Sequence, residues 1–288
     1  MIKIKVEHLS YTYPYSPKPA LSDINFEVNE REFILITGPS GSGKTTLALS
    51  LAGVIPHILK GGTMKGQVLI DGVDSRLMKL SEIARKIGMI FQDPECQFFG
   101  LTVEEEVAFG LENLCFPRDI MEKKVNELLA FSGLLKFRKK EPSSLSGGQK
   151  QRLAIISVLA MEPSVIILDE PTSNLDPYGA ALVSNTLQEL QQTGKTIILI
   201  ERKAAHVIPL ATRIIALEEG KIVVDTEPRK FYANEALLKK LQVYTPQVIR
   251  VAHKLKELGF NFNEFPLTVE ELCELLKTCK SGGHATNN

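Results

Sequence analysis

Gly38-Pro39-Ser40-Gly41-Ser42-Gly43-Lys44-Thr45 follows the spacing GxxxxGK[ST], a pattern suited to holding a nucleoside phosphate. Its glycines let backbone N–H groups curl around phosphate oxygens, and a helix starting there adds its positive dipole end. Lys44 reaches the β and γ phosphates and the Thr45 hydroxyl ligates Mg²⁺, while Thr46 opens the helical run to Leu51. A second cluster closes the apolar run Val165 to Leu168, where Asp169-Glu170 is followed at once by the chain-turning Pro171. Adjacent carboxylates at a strand end divide the work of phosphoryl transfer to water: Asp169 holds the Mg²⁺ shell, and Glu170 positions or deprotonates the attacking water. A solvated acidic turn, the plainer alternative, leaves the aliphatic run before it unexplained. Leu145-Ser146-Gly147-Gly148-Gln149 precedes the helical run Lys150 to Leu159 and sets backbone N–H groups and a serine hydroxyl at a second helix start, another anion site. Alone, SGG is more often a loop or a cap.

These residues need strands and helices to aim them. Short apolar runs at Phe33 to Ile36, Met89 to Phe91, Val165 to Leu168, Thr196 to Ile200 and Arg213 to Leu217 read as strands buried on both faces, which predicts an α/β core with a largely parallel sheet. Residues 2 to 7 and 66 to 73 alternate instead, as half-buried antiparallel strands do, with Lys65-Gly66 and Asp71-Gly72 as turn chemistry at either end. From about 100 to 160 the pattern is helical without strands. Thr102 with Glu105 forms a capping box, Val103, Val107, Leu111 and Leu114 make one stripe, and Met121, Val125, Leu128 and Leu129 make another. Both stripes read as core, and the run Glu104 to Glu106 as a solvated first turn at a positive helix end. Beyond about Pro228, helical periodicity returns in Glu235 to Leu241, Gln247 to Leu258 and Val269 to Leu276, before a polar tail, SGGHATNN, read as disordered.

Composition limits the function classes. The 288 residues balance 34 Lys+Arg against 34 Asp+Glu, with 44% hydrophobic and 24% charged residues, an ordinary globular make-up that argues against a nucleic-acid-coating protein. Cys96, Cys115, Cys273 and Cys279 form no CxxC pair and the five histidines no HExxH spacing, so no zinc site is expected. The start lacks a signal peptide's apolar stretch and no apolar run reaches 18 residues. The expectation is a soluble protein of a reducing cytoplasm with free thiols.

Taken together and in order, Tyr13, the phosphate loop 38 to 45, Gln92, the signature 145 to 149, the acidic strand end 165 to 170 and Ser173-Asn174-Leu175-Asp176 resemble the ATP-binding cassette (ABC) ATPases over about residues 1 to 228. The resemblance implies a P-loop NTPase core with a parallel sheet, an antiparallel β subdomain, an inserted α-helical subdomain at about 95 to 160 and a small C-terminal extension at 229 to 280, leaving 281 to 288 as tail. It implies Tyr13 stacking on adenine, Gln92 of the Q-loop beside Mg²⁺ and the catalytic centre, and Asp176 in the D-loop. It also implies a head-to-tail dimer, with ATP between one subunit's phosphate loop and the partner's Ser146, Gly147, Gly148 and Gln149.

The stretch Gly88 to Asn113 is similar to the ATPase subunits of energy-coupling factor (ECF) transporters and their cobalt or nickel uptake relatives. Pro266-Leu-Thr-Val-Glu-Glu271 resembles the tail by which those subunits hold together. The partners implied are a second ATPase, identical or paralogous, a transmembrane coupling subunit and a substrate-binding membrane component, with the chain on the cytoplasmic face of the cell membrane as a peripheral protein. Gln92 and the helical insert then grip the membrane partner, with Phe98 and Phe99 as candidate contacts or simple core. One departure stands out: where the family places a switch histidine after the strand ending near Ile200, this chain has Glu201-Arg202. Arg202 binds phosphate strongly, but its cation is permanent and its reach longer; His206, one helical turn on, is the substitute considered. Two other readings are a soluble ABC ATPase that remodels nucleic acid or ribosomes, against which the neutral charge and single cassette count, and a nonhydrolysing regulatory subunit, which draws only on Arg202.

Overall fold

The computed structural model describes residues 1–281, so all but the first residue of the expected polar tail lies outside the described residues. The chain opens with β1 (Ile2–Thr12), β2 (Leu21–Asn29) and β3 (Phe33–Thr37), followed by α1 (Lys44–Leu51) and α2 (Val54–His57). Next come β4 (Thr63–Ile70), β5 (Val73–Asp74), α3 (Leu80–Lys86) and β6 (Ile87–Ile90). Three helices run on without a strand: α4 (Val103–Asn113), α5 (Arg118–Phe131) and α6 (Gly147–Ala160). Then β7 (Val165–Asp169), α7 (Pro177–Gln192), β8 (Thr196–Ile200), β9 (Arg213–Glu218) and β10 (Lys221–Thr226) lead to α8 (Pro228–Tyr232), α9 (Glu235–Lys240), α10 (Gln247–Glu257) and α11 (Val269–Ser281).

The larger sheet has the order β10-β9-β3-β8-β7-β6, parallel throughout except for β10. Every residue of β3, β7 and β8 is buried, because helices or the second sheet cover both faces, and that is why these strands read as unbroken apolar runs. Register sets Ile36 and Asp169 on either side of Ile200. The segments that leave β3, β8 and β7 therefore emerge side by side at the carboxyl edge, where open α/β sheets bind ligands.

The smaller sheet, β2-β1-β4-β5, is antiparallel. Asp71 and Gly72 both have positive φ, 48° and 81°, as a two-residue turn between β4 and β5 requires. Gly66 is no turn residue: it lies inside β4 at φ 74°, opposite the register shift between Glu7 and Ser10, where a Cβ would stand 2.2 Å from the His8 carbonyl oxygen. Three strands were not foreseen, β2, the two-residue β5 and the edge strand β10, and β6 ends at Ile90 rather than Phe91.

Three apolar clusters form the interior. One lies between α1, one face of the large sheet and the small sheet, with Leu47, Ile34, Ile36 and Val6 in it. A second covers the opposite face and takes in α7 and the C-terminal helices, so that Phe231, Tyr232, Leu241, Ile249 and Leu272 share one core with Phe33, Ile214 and Ala216. The third belongs to α4, α5 and α6. Helix α6 serves both of the latter, giving Ala154 and Ile155 to one and Leu153 and Ile156 to the other. Arg229 pins the far end of the chain, donating to the Phe265 carbonyl at 2.8 Å and to both Glu271 carboxylate oxygens at 2.8 and 3.0 Å.

Candidate active site

The phosphate loop is bounded by two glycines that no other residue replaces. Gly38 has φ 139° and a Cβ there would lie 2.1 Å from the Leu217 carbonyl oxygen; Gly43 has φ 100° and its Cβ would lie 2.5 Å from that of Ala20. Both values belong to backbone that L side chains rarely adopt. Ser42 accepts the Gly220 N–H at 3.1 Å, tying the loop to the β9–β10 turn, while Ser40, Gly41 and Thr45 face outward and Pro39 is half-buried. Lys44 is 5% exposed and its Nζ donates to the Gly38 and Pro39 carbonyls at 3.0 and 2.8 Å. Burial pushes its pKa down, against the opposing pull of Glu170. Thr46 bonds the Tyr13 hydroxyl at 3.1 Å, which holds the half-buried Tyr13 ring beside α1 and edge-on to Tyr11.

Asp169, 3% exposed at the end of β7, carries an Oδ1 with no hydrogen-bond partner. Burial raises its pKa, and the Thr45 hydroxyl and Lys44 beside it work the other way. An orphaned buried carboxylate oxygen next to a hydroxyl is a donor set that fits Mg²⁺. Among the described residues no three acidic, histidine or cysteine side chains gather into a metal cage, as expected for an ion held by one or two protein ligands together with phosphates.

Glu170 is half-buried and stands at φ 44°, a strained backbone for a residue with a Cβ and of the kind concentrated at functional sites. Its N–H donates to the Ile200 carbonyl at 2.9 Å. Burial raises its pKa first and the charge of Glu201 second, with Lys44 and Arg202 opposing, the direction that suits a general base. Arg202 is exposed yet close enough for its charge to act on Lys44 and Glu170. His206 is no substitute by the route considered: it lies in an exposed turn, with no helix between it and Arg202.

Gln92 is exposed and its Nε2 reaches the Ser173 hydroxyl at 3.4 Å, so the segment after β6 meets the turn after β7. Glu95 pairs with Lys150 of α6 at 2.6 Å. The two candidate aromatics part company: Phe98 packs into the interior, while Phe99 is 70% exposed and stacks on Phe109 at 5.1 Å. Buried Glu106 accepts the N–H groups of Phe99 and Gly100 at 2.7 and 2.8 Å; it is no solvated first-turn residue. Phe99 and Phe109 wall a groove of about 350 Å³ with Met89, Met161 and Arg85.

The signature is itself helical. Gly147 and Gly148 form the first turn of α6, which starts three residues before the expected Lys150, and exposed Ser146 has its N–H held by the Gln149 Oε1 at 2.9 Å. Glycine is required because α7 comes close: a Cβ on Gly148 would lie 3.1 Å from the Gly179 Cα. Asp176 caps α7, accepting the Gly179 N–H at 2.7 Å. Among the described residues, no hydrogen bond or ion pair joins the signature to the phosphate loop.

The structure also brings in Glu201, which sequence reasoning left without a role. It is 3% exposed and accepts three hydrogen bonds, one of them from Thr172. The signal was present, since Glu201 directly follows an apolar strand just as Glu170 does.

Known proteins share the sequence family and the fold. The family profile described as ABC transporter matches residues 21–173. The energy-coupling factor transporter ATP-binding protein EcfA2 of Clostridium tetani is 39% identical over 287 residues, 96% of this chain and 97% of that protein. The solved structure of cbiO1 from Clostridium perfringens, part of the ABC transporter complex cbiONQ, superposes with a TM-score of 0.72 at 32% identity, covering 88% of this chain and 99% of that one. A dimeric ATP-binding cassette in a post-hydrolysis state bound to ADP and Pi gives 0.68 at 30% identity, covering 78% and 99%. The chain spans 96% of one curated relative and 42% and 46% of two others.

Proposed function

We propose, for a chain that belongs to the ABC transporter family of ATP-binding cassettes, that it is the ATP-hydrolysing subunit of an ECF-type complex taking up a vitamin or a transition-metal ion. It acts as a peripheral protein on the cytoplasmic face of the membrane. Among the described residues no helix is long and apolar enough to cross a membrane, and in this reading the passage belongs to the transmembrane partner. The observation that carries the hydrolytic reading is the convergence of Lys44, Asp169, Glu170 and Arg202 at the ends of three adjacent strands.

In this reading Tyr13 carries the adenine, and the backbone N–H groups of Ser40 to Thr46 wrap the phosphates. Lys44 exchanges its carbonyl partners for β- and γ-phosphate oxygens. Thr45, Asp169 and Gln92 would hold Mg²⁺, which when bound neutralises charge on the β- and γ-phosphates. Glu170 takes a proton from the attacking water as its oxygen bonds the γ-phosphorus and the bond to the β–γ bridging oxygen breaks; the leaving group is ADP. Arg202 meets the charge on the γ-phosphoryl oxygens.

The partner ATPase, identical or paralogous, completes the site with its own Ser146, Gly147, Gly148 and Gln149, so ATP draws the pair together and hydrolysis releases it. The exposed half of that arrangement, Ser146 at a helix start with no bond to its own phosphate loop, supports the head-to-tail reading. The groove walled by Phe99 and Phe109 receives a helix of the transmembrane subunit, and substrate choice rests with a separate membrane component.

With Arg202 in place of histidine, this chain's own site turns over slowly, while its signature serves a faster site on the partner. Steady-state ATP turnover of the assembled complex tests this: Arg202→His should raise the rate, and Glu170→Gln here should cost less than the same change in the partner. Equal costs would sink the asymmetry. Separation of the chain from every integral membrane protein on detergent extraction would sink the transport reading.

A further inference from the structure

We infer that Glu201 is a positioning residue for hydrolysis, a buried clamp that joins the turn after β7 to the backbone presenting Arg202; this rests on the hydrolytic reading above. Its own N–H donates to the Ile36 carbonyl at 3.2 Å, the strand end that leads into the phosphate loop. Its Oε2 accepts the Thr172 hydroxyl at 2.6 Å, and its Oε1 accepts the N–H groups of Arg202 and Lys203 at 2.9 and 3.2 Å. The side chain thus ties the turn after β7 to the segment that leaves β8, while the backbone of the same residue is bonded to the end of β3.

The arrangement is costly for a merely structural link. Glu201 is 3% exposed and forms no ion pair with any described lysine, arginine or histidine, so three hydrogen bonds alone hold a buried carboxylate. Its charge also lies near enough to Asp169 and Glu170 to act on both. A fold seeking only stability would place an amide or an apolar residue here.

What the charge achieves is directional. Two backbone N–H donors converging on one carboxylate oxygen fix the chain at 202 and 203, and so fix where the exposed Arg202 side chain leaves the backbone. Thr172 stands one residue before Ser173, which Gln92 touches, and four before Asp176, which caps α7 against the signature helix. The clamp therefore lets the position of the turn 171–174 govern that of Arg202. A partner subunit that moves this turn adjusts the hydrolytic site without touching nucleotide.

Single-turnover hydrolysis by this chain assembled with a partner ATPase whose own catalytic glutamate is changed to Gln, the complex in excess over ATP, tests the clamp alongside nucleotide affinity. Glu201→Ala and Thr172→Val should each slow hydrolysis at least tenfold with affinity kept within twofold. Thr172→Ser should keep at least half the wild-type rate. Arg202→Ala should cost less than twofold further in the Glu201→Ala background, although it costs severalfold alone. Rates within twofold of wild type for Glu201→Ala and Thr172→Val, or losses that multiply with Arg202→Ala, would overturn the inference. Should Glu201→Ala fail to fold, the Thr172 pair and its combination with Arg202→Ala decide. Wild-type turnover that Glu170→Gln abolishes but the clamp variants spare defeats the clamp alone; no wild-type turnover by the assembled complex defeats both readings.

Discussion

The two ends of the nucleotide site are built in opposite ways. At the phosphate loop, Lys44, Ser42 and Asp169 are buried, and glycines are confined by neighbouring carbonyls. At the signature, Ser146 and Gly147 are exposed and the local bonds serve only to start α6. The first is a finished receptor whose strand ends preset its geometry; the second is a surface that acquires a ligand only when another molecule brings one. The difference teaches that burial follows where chemistry occurs within the chain, and exposure where it is shared.

Several substitutions would break or sharpen that contrast. Glu170→Gln removes the proton acceptor and should lower hydrolysis at this chain's own site by about 10²- to 10⁴-fold while leaving ATP affinity intact, read by single-turnover assay in a complex whose partner site is inactivated and by equilibrium binding. Ser146→Arg should cost about 10²-fold in turnover, on the scale of losing one transition-state donor, with no change in nucleotide binding by one chain. Mixing Ser146→Arg with Lys44→Ala chains should restore activity, because one of the two shared sites then has both halves intact; a mixture as dead as its components would end the head-to-tail reading.

Effects within the helical region should be smaller and confined to stability. Glu106→Ala leaves the N–H groups of Phe99 and Gly100 without their acceptor and should destabilise by about 1–3 kcal/mol, seen as a lower melting temperature with unchanged ATP affinity. The smallest change is at Glu104. Lys139, then Arg138, hold its carboxyl below the usual range, so its contribution is present above the unfolded value of about 4.3 and fades as pH falls through the lower folded one. Glu104→Gln should therefore lower stability by under about 1 kcal/mol at pH 7 and by nothing measurable near pH 2, compared by denaturant titration.

What the sequence made legible follows the same division. Strands β3, β7, β8 and β9 announced themselves because burial on both faces leaves no room for polar residues. The capping box at Thr102 was readable since it is a local arrangement of four residues. Strand β10 was not, because at a sheet edge Lys221 and Val223 face solvent and the run is too mixed to stand out. The start of α6 was misplaced for a tertiary reason: Gly147 and Gly148 look like a loop until Leu175 and Gly179 are seen against them. Glu106 looked like surface charge because its acceptor role depends on backbone folded back onto it, and Glu201 drew no role because its partner Thr172 comes from another strand end.

The C-terminal helices bury Phe231, Leu241 and Ile249 in the same cluster as Phe33 and Ala216 of the central sheet. A boundary drawn near residue 228 on motif grounds thus cuts through a continuous interior. Heated, the chain should give one cooperative calorimetric transition rather than two, and a gene shortened at that boundary should encode a partly molten cassette with part of one sheet face uncovered.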